Sequence, residues 1–550
     1  MSLSLLWAVL ASAFAVSLAQ PNDFLISGNA WLALIAWAPL FWALKRTASN
    51  RQAALLGAVF GFVSTLIQCY WLAFFNNFAF WTLLGPTAAE AGFAALLGPV
   101  LRRFLQEKAH WRPFAVGAVW AVDEFLRTNG FLGFPWGLAP YPFHGWLWFI
   151  QIIDVTGLSF IAFLVIAWNA WISDWFEAGW ARTKRVLAPG ITLLCLTAAV
   201  AVYGFWRLAE PRPSDRPAAR LALVQQDSNP WDSEGPWPSR ADKDSLKQSV
   251  DLSLKALEKG RIDMVVWSET SIRGPLQFSR PFYNYYPEGG SLFHVIRDHS
   301  AYWLFGNPYA QSPEGSDAGW VNATVLMNPE TRIVDYYGKI QQVPFAEHIP
   351  LWNFPPVRAF FKSVVGLEGS WSLGRKITVF HIPLRQSREK LDFSTPICFE
   401  DAFPWLTREM VARGANVLIN LTDDSWSQRP SSEAQHEVAA RFRTIEDRVY
   451  LVRSTNSGVT EVVDPWGETV AGPLPYYTQG SFLGIPFTKN LVKPDVLVAN
   501  IPVIKHHPPT FYVRFGDWLD MVFILLLVLR LVLHLVLKRK NELNPLRLDS

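Results

Sequence analysis

One cysteine in the second half of the chain has the setting of a reactive nucleophile. Cys398 ends the apolar run DFSTPIC (392–398), and Phe-Glu-Asp follows it. Of the three cysteines, Cys69 and Cys195 fall in long uncharged stretches, so Cys398 lacks a disulfide partner in its own part of the chain. An unpaired thiol is either buried and inert or kept for its reactivity. Its place at the end of a predicted strand favours reactivity, because α/β folds present reactive groups there.

Two other ionisable residues follow predicted strands. Glu269 comes after the apolar run of MVVWSET (264–270), and Lys339 follows a predicted strand, with Glu347 further on in the same segment. With Cys398 they form a workable nucleophilic site, in which the carboxylate takes the thiol proton and the ammonium group stabilises thiolate and oxyanion. The thiolate would attack an acyl carbon. Spacing alone leaves the ordinary alternatives open, namely a solvated loop glutamate and a surface lysine.

The composition predicts a membrane protein that also carries a folded domain. Apolar residues make up 51% of the 550 residues, 27 of them are Trp, and only 17% are charged, against about 25% in an average soluble domain. Disordered chains are excluded by the aromatic content. Collagen-like and disulfide-scaffold proteins are excluded by the lack of a glycine period and of cysteines. A net charge of +3 gives no indication of a nucleic-acid partner.

Residues 1–208 are predicted to form a transmembrane helical domain with seven spans, and an eighth span is predicted within residues 516–550. Each of several long uncharged stretches approaches the ~20 residues that cross about 30 Å of hydrocarbon as a helix. Near the outer end of the fifth span, Asp123, Glu124 and Arg127 are expected to pair with one another or to meet lipid headgroups. The eight spans lie near residues 3–20, 26–44, 53–75, 80–101, 113–127, 148–173, 187–207 and 518–537.

Basic residues between the spans indicate the orientation. They cluster after the second, fourth, sixth and eighth spans, whereas the loops after the first and third spans contain none. Because Lys and Arg mark the cytoplasmic side, both termini are predicted to be cytoplasmic. The first span is interpreted as a retained helix rather than a signal peptide, since no basic residue precedes it and further spans follow. The basic residues are Lys45, Arg46, Arg51, Arg102, Arg103, Lys108, Arg112, Arg182, Lys184, Arg185, Lys538, Arg539, Lys540 and Arg547.

Residues 209–515 are predicted to form an α/β domain on the side opposite the termini. After a Pro-rich linker, charged residues return to ordinary density, and short apolar runs alternate with helical patterns. A strand–helix–strand order of this kind is typical of buried sheets. The predicted strands are ARLALVQQ (219–226), DMVVWSE (263–269), 301–306, 322–328, 332–337, 392–398 and 416–421.

Several well-known site motifs are missing from the sequence. It contains no GxSxG serine elbow, HExxH zinc motif, CxxC pair, phosphate-binding P-loop or dinucleotide-binding glycine pattern. His348 and His436 are therefore interpreted as structural or surface residues. None of the chemistry above requires a metal or a cofactor, and we predict neither.

Four stretches, WSET, YYGKIQQVPFAEHIP, ICFED and NLTDDSW, resemble the motifs of the nitrilase, or carbon–nitrogen hydrolase, superfamily. The resemblance covers roughly residues 218–490. It implies an αββα sandwich and a catalytic triad at the matching positions Glu269, Lys339 and Cys398. With the predicted spans included, VPFAEHIPL, NLTDDSW and VRSTNSGVTEVVDPWG resemble the bacterial apolipoprotein N-acyltransferase family. That family has eight spans, with the nitrilase-like domain inserted before the last.

This resemblance implies an enzyme of lipoprotein maturation in the bacterial inner membrane, with a periplasmic catalytic domain. The expected donor is a phospholipid, typically phosphatidylethanolamine. The expected acceptor is the α-amino group of the N-terminal diacylglyceryl-cysteine of an apolipoprotein. Cys398 would take the fatty acyl chain as a thioester, and the amine would then attack that thioester. Two half-reactions through one acyl-enzyme predict ping-pong kinetics.

The resemblance also suggests a supporting set of residues around the triad. Glu347 would position Lys339, and Glu400 would be a further acidic residue at the site. The backbone N–H of Phe399 would join the lysine in the oxyanion hole. For each of these residues, packing or loop capping is the simpler alternative.

Candidates for substrate binding complete the expected site. They are Asn322, expected just before a strand, and Trp231 or Trp237, either of which would match a loop tryptophan near the substrate entrance. The Trp-rich stretch FLGFPWGLAPYPFHGW (131–146) is either an aromatic belt at the membrane interface or a groove for acyl chains. A site at the bilayer suits these substrates, because drawing a chain into water costs ~0.8 kcal/mol per CH₂.

Two other functions remain open from the sequence. A membrane-tethered nitrilase-type amidase would use the same triad and transfer the acyl group to water, although eight spans are excessive for a tether. A polytopic transport or assembly protein with a degenerate nitrilase-like domain would need no triad. The retention of all three residue types argues against that degeneracy.

Overall fold

The computed structural model describes residues 2–75, 79–108, 110–178, 183–212, 217–232, 237–311, 319–365, 369–504 and 508–543. Two of the basic residues that indicated orientation, Arg182 and Arg547, lie outside these ranges. The helices are α1 (Leu3–Ala19), α2 (Ala30–Ala33), α3 (Ala38–Lys45), α4 (Asn50–Gln68), α5 (Ala79–Leu105), α6 (Arg112–Arg127), α7 (Leu147–Ile150), α8 (Ile153–Thr156), α9 (Ser159–Ala178), α10 (Thr183–Leu208), α11 (Arg240–Glu258), α12 (Arg280–Tyr285), α13 (Leu292–His299), α14 (Pro355–Phe360), α15 (Pro404–Ala412), α16 (Pro430–Asp447), α17 (Phe511–Phe515) and α18 (Trp518–Leu543).

The strands all lie between α10 and α17. They are β1 (Ala218–Gln225), β2 (Met264–Val266), β3 (Tyr302–Ala310), β4 (Trp320–Met327), β5 (Ile333–Gly338), β6 (Phe380–Pro383), β7 (Lys390–Ser394), β8 (Val417–Thr422), β9 (Tyr450–Thr455), β10 (Glu461–Val463), β11 (Thr469–Ala471), β12 (Tyr477–Phe482), β13 (Ile485–Asn490) and β14 (Asp495–Pro502).

Every predicted membrane span contains helix, but three of these spans are interrupted. The predicted span 53–75 consists of α4 and a separate 3₁₀ turn, Tyr70–Phe74. The predicted span 26–44 is divided into α2 and α3, and the Asn29 side chain caps the first of them. The predicted span 148–173 is divided into α7, α8 and α9, with Gly157 at φ +61° after α8. Apolar composition predicts burial in lipid, but it does not reveal such local breaks. Within the described ranges, three helical segments are long and apolar enough to cross a membrane: Ala79–Leu105, Ser159–Glu177 and Val186–Leu208.

Glycines allow the helices α4 and α5 to pack closely. A Cβ built on Gly57 would lie 2.0 Å from the carbonyl oxygen of Ala94, and one on Gly98 would lie 2.3 Å from that of Ala53. Contacts this short leave no space for a side chain, so the two backbones touch through glycine. Small residues at such crossings are typical of helix packing in membranes.

Beside a two-stranded sheet of β12 and β13, two six-stranded sheets form the α/β domain. Their strand orders are β14-β1-β2-β3-β4-β5 and β11-β10-β9-β8-β7-β6, and the central strands β1–β3 and β7–β9 are parallel. Alternate side chains of β1 point to opposite faces of the sheet, as in any pleated strand. Leu221 and Leu223 join the core shared with the second sheet, whereas Ala222 and Val224 pack with the residues of α11 and α13. With α15 and α16 beyond the second sheet, the layers form an αββα sandwich.

Helix α16 joins the sandwich to the helical domain. Every residue of α16 except Arg441 is buried, although the helix is rich in charged side chains. Gln435 accepts a hydrogen bond from Trp71 Nε1 at 3.0 Å and donates to the carbonyl oxygens of Pro21 and Gln68 at 2.8 and 3.0 Å. Polar contacts with the helical domain therefore satisfy a side chain that would otherwise be costly to bury.

Candidate active site

The loops that follow β2 and β5 bring a glutamate and a lysine together. Lys339, fully buried, directly follows β5, and its Nζ lies 3.2 Å from Glu269 Oε1 and 2.7 Å from Glu347 Oε1. Burial opposes the positive charge, but the two carboxylates more than offset it and keep the pKa of Lys339 well above its ordinary value. The ammonium group therefore stays charged.

Backbone and amide donors orient the two carboxylates. Asn322 Nδ2 donates to Glu269 Oε1 at 2.8 Å, and the N–H of Asp423 donates to Glu269 Oε2 at 3.1 Å. The N–H of Val343 donates to Glu347 Oε2 at 2.8 Å. Each glutamate thus presents one oxygen to the lysine while the other is held by the backbone.

Cys398 lies at the first position of a short 3₁₀ turn, Cys398–Ala402, and not at the end of a strand as expected. Strand β7 ends at Ser394, and among the residues before the cysteine Ile397 forms a single bridge with Leu421 of β8. The backbone of Cys398 has φ +50°, a strained conformation that clusters at functional sites. The side chain is half-buried. Sequence pattern could not find this break, because the apolar run continues to the cysteine.

The surroundings of the thiol favour its protonated form at rest. Burial and the carboxylate of Glu269 raise the pKa of the Cys398 thiol well above its ordinary value, while Lys339 and the Thr422 hydroxyl act in the opposite direction. Glu269 and Lys339 therefore both act electrostatically on the sulfur. A carboxylate that acts on a protonated thiol is a candidate general base for its activation.

Glu400 ties the loop after β5 to the turn that carries Cys398. Its Oε1 accepts from the N–H groups of Ile340 and Gln341 at 2.7 and 2.9 Å, and its Oε2 accepts from the N–H of Ile397 at 2.7 Å. The Tyr337 hydroxyl donates to both oxygens. Burial raises the pKa of Glu400 to about 7, against the lowering effect of these N–H donors. Glu400 therefore connects the backbone that follows Lys339 to the backbone that precedes Cys398.

The other expected site residues occupy three different places. Asn322 lies inside β4 rather than before a strand, and its amide contacts Glu269. The Trp231 ring packs edge-on against the ring of Trp426, with 5.1 Å between centroids. Trp426 lies in the segment that follows β8. Trp237 packs against Phe282 at 5.0 Å, in the hydrophobic core beside α11. The structure thus separates the two tryptophans, and Trp231 lies in contact with the NLTDDSW motif.

The Trp-rich stretch 131–146 of the helical domain packs on the cysteine turn. The Trp136 ring stacks on Phe399, with 5.4 Å between centroids and 18° between planes, and lies 5.8 Å from the ring of His436. The Phe399 side chain therefore faces the helical domain. Its backbone N–H remains the candidate for an oxyanion hole with Lys339.

An aromatic rim surrounds this junction between the two domains. Consecutive rings lie 5.5 Å (Phe131 and Phe345), 6.2 Å (Phe345 and Phe361), 5.5 Å (Phe361 and Phe360) and 6.4 Å (Phe360 and Trp81) apart. All of these side chains except Phe361 are exposed. Contiguous exposed aromatics mark a surface that binds something apolar.

Charged residues of the helical domain pair with one another, as one of the two expectations held. Arg127 lies 3.8 Å from Asp123 and 3.8 Å from Glu124. Glu90 of α5, which the sequence did not associate with them, lies 3.3 Å from the same guanidinium. The pairing keeps these charges away from the apolar faces of the helices.

His436 is buried beside the cysteine and is not a surface residue. Cys398 Sγ, an oxygen of Asp424 and a nitrogen of His436 lie within 4.8 Å of one another, a spacing that a metal site would have. However, His436 Nδ1 lies 2.7 Å from Asp424 and Nε2 lies 2.9 Å from Asp401. Because both ring nitrogens then serve as N–H donors, neither offers a lone pair to a metal. Sequence analysis missed this cluster, although Asp401 and Asp424 lie within the ICFED and NLTDDSW motifs.

Comparisons with known proteins cover both domains. Residues 12–171 match the family described as apolipoprotein N-acyltransferase N-terminal domain, and residues 220–485 match carbon-nitrogen hydrolase. The chain is 33% identical to apolipoprotein N-acyltransferase 2 of Treponema denticola, covering 96% of this chain and 97% of that protein. It is 32% identical to apolipoprotein N-acyltransferase 2 of Treponema pallidum, covering 92% and 91%. Among solved structures, an amidase from Nesterenkonia sp. has a TM-score of 0.34 at 17% identity, covering 52% of this chain and 91% of the amidase.

Proposed function

The chain belongs to the apolipoprotein N-acyltransferase family, and on this premise we propose that it moves a fatty acyl chain from a phospholipid to an apolipoprotein amine through a thioester on Cys398. The observation that carries the proposal is the buried Lys339, held between Glu269 and Glu347 and acting electrostatically on a half-buried thiol. The thiol turn contacts the helical domain, where acyl chains of membrane lipids would lie.

In the first half-reaction, Glu269 takes the proton of the Cys398 thiol and the thiolate attacks the ester carbonyl of the phospholipid. Lys339 and the N–H of Phe399 stabilise the oxyanion of the tetrahedral intermediate. The bond from the acyl carbon to the glycerol oxygen breaks, and Glu269 returns its proton to that oxygen. A lysophospholipid leaves, and the acyl chain stays on sulfur.

In the second half-reaction, the α-amino group of the acceptor attacks the thioester carbonyl. Glu269 removes a proton from the attacking amine, the carbon–sulfur bond breaks, and the thiolate regains a proton. The product is an N-acylated lipoprotein and the free thiol. Asn322 and Glu347 serve this cycle by holding the base and the lysine in position.

The exposed aromatic rim supports the proposal that the substrates of this site are lipids. Phosphatidylethanolamine is the proposed donor and the N-terminal diacylglyceryl-cysteine of an apolipoprotein the proposed acceptor. Both carry long acyl chains, and each CH₂ brought into water costs ~0.8 kcal/mol. The segment beside the rim exposes Leu351, Phe354 and Val364 as well, which gives the chains an apolar route. Trp231, against Trp426, is the proposed entrance tryptophan.

We infer a bacterial inner-membrane location with eight spans, and the charge distribution of the helical domain supports the orientation. Lys45 at the end of α3 and Arg112 at the start of α6 both contact Asp174, so these basic residues gather at one end of the bundle. Gln68, at the far end of α4, contacts the catalytic domain. Basic residues mark the cytoplasmic side, and the catalytic domain is accordingly proposed to be periplasmic.

Intact mass spectrometry of the full chain tests the proposal. We expect the protein incubated with phosphatidylethanolamine in mixed micelles to gain the mass of one fatty acyl group, and hydroxylamine to remove it. C398S should lose both the adduct and N-acylation of a diacylglyceryl lipopeptide. C195S, which changes the exposed cysteine of α10, is the matched control and should retain both. An adduct on C398S would overturn the thioester route, and release of free fatty acid without an acylated peptide would indicate a hydrolase.

A further inference from the structure

Four buried charged side chains form a closed ring beside Cys398. His436 of α16 contacts Asp424 at 2.7 Å and Asp401 at 2.9 Å. Arg453 of β9 contacts the same two carboxylates, Asp401 closely and Asp424 at 3.4 Å. Each carboxylate therefore bridges the imidazole and the guanidinium. Their side chains are at most 9% exposed, so solvent screens their charges only weakly.

The ring geometry requires a charged imidazole. Both nitrogens of His436 face carboxylate oxygens within hydrogen-bond distance, and a neutral imidazole has only one N–H to donate. Burial opposes the charge, yet Asp424 and Asp401 raise the pKa of His436 to about 9. With His436 and Arg453 both positive and two aspartates negative, the ring carries no net charge.

The ring reaches the cysteine in two ways. His436 Nε2 lies 3.3 Å from the carbonyl oxygen of Cys398, which also accepts from Asn420 Nδ2 at 3.1 Å. The sulfur, the Asp424 carboxylate and the imidazole lie within 4.8 Å of one another. The first contact holds a backbone that stands at φ +50°. The second makes the charge of His436 part of the field on the thiol.

We propose that His436 is a positioning residue for Cys398, whose imidazolium holds the strained turn and balances the aspartates beside the sulfur. The inference rests on the proposed function, in which Cys398 is the nucleophile. Without the imidazolium, the buried ring would carry a net negative charge next to the thiol. A nearby negative charge disfavours the thiolate, so both activation of the cysteine and its orientation would suffer.

The first experiment compares full-length wild type and H436Q in detergent, because glutamine keeps a donor but carries no charge. Both proteins carry C195S, since the exposed Cys195 would also react, and alkylation of Cys398 by iodoacetamide is followed by intact mass across a range of pH. We expect the apparent pKa of the thiol to rise in H436Q by about one unit and the alkylation rate at a fixed pH to fall about tenfold, the factor that one unit represents. H381Q, at an exposed histidine, should match wild type.

A double variant separates charge from structure. H436Q/D424N restores a neutral ring, and we expect it to recover much of the lost alkylation and acylation rate, whereas D424N alone should lower the apparent pKa of the thiol. Wild-type alkylation in H436Q, or a double variant as slow as H436Q, would overturn the proposal. If H436Q does not fold, D424N decides, since an unchanged or raised thiol pKa contradicts the charge balance. Alkylation needs no acyl substrate, so failure of the proposed function would appear separately, as loss of acylation alone.

Discussion

Trp136 of the helical domain stacks on Phe399, the residue that follows Cys398, with 5.4 Å between ring centroids and 18° between ring planes. Phe134 also stacks on Trp136, with 5.5 Å between centroids. A residue from the helical half therefore supports the backbone turn of the α/β half. Offset-stacked aromatic pairs of this kind add about 0.5–1.5 kcal/mol beyond the burial of their area.

Removal of this stack should slow the cysteine chemistry. W136A loses the aromatic contact and leaves a cavity, a change that costs about 3–5 kcal/mol at a well-packed site, and we expect thioester formation to fall by at least about tenfold, a factor equal to ~1.4 kcal/mol. W136F keeps a ring in place and should retain most of the rate. The rate of acyl-adduct formation by intact mass measures both variants. Equal rates in W136A and W136F would show that the stack does not support the turn.

Glu400 should prove important for stability as well as activity. E400Q replaces one acceptor oxygen with an NH₂ group that faces N–H donors, and each buried group left without a partner costs about 1–3 kcal/mol. We expect a clear drop in the melting temperature of the detergent-purified protein. Y337F, which removes only one donor to Glu400, should cost about 1 kcal/mol. A melting temperature for E400Q no lower than that of Y337F would contradict this role.

The contact between Arg448 and Asp154 should anchor the two domains. This pair is almost fully buried at 2.9 Å, and removal of one partner from a buried ion pair costs about 3–5 kcal/mol. R448M should therefore unfold at a clearly lower temperature than wild type. The exposed pair Lys247 and Asp251, at 2.7 Å, is the matched control, and K247M should leave the melting temperature almost unchanged because solvent screens the pair. Similar melting temperatures for the two variants would exclude an anchoring role.

The charged ring should make stability depend on alkaline pH. Burial opposes protonation of His436, but Asp424 and Asp401 raise its pKa from 6.5 to about 9, while Arg453 acts in the opposite direction. Outside the ring, Glu437 and Glu461 interact electrostatically with Arg453, and Glu433 with Asp424. A raised pKa in the folded state stabilises the fold fully below pH 6.5. This contribution of about 3 kcal/mol is lost as the pH rises through 9.

Melting temperatures measured from pH 6 to pH 10 test whether stability falls as the pH rises. We expect wild type to lose stability across the upper part of that range and H436Q to lack this component, with the exposed-site variant H381Q following wild type. A wild-type curve parallel to that of H436Q would show that the imidazole does not remain charged in the fold.

Local sequence pattern predicted much of the architecture. The uncharged stretches and the strand–helix alternation are local consequences of burial in lipid and in a sheet, so helices and strands appear at the expected places. Breaks inside apolar runs escaped prediction, since neither the positive φ of Gly157 nor the turn from Ser394 to Cys398 changes the hydrophobic pattern. Composition predicts whether a segment is buried, but it does not predict where its backbone turns.

The reactive residue types and their motifs were also readable from the chain, because acyl transfer through a thiol needs a base, a cation and a nucleophile. Which other groups surround them was decided only by the tertiary structure. The partners of Glu400 and His436 come from separate strands and helices, and Gln435 bonds a carbonyl that lies 414 residues away in the chain. Such contacts leave no local period or composition signal, because they arise when two sheets and a helical bundle close around α16.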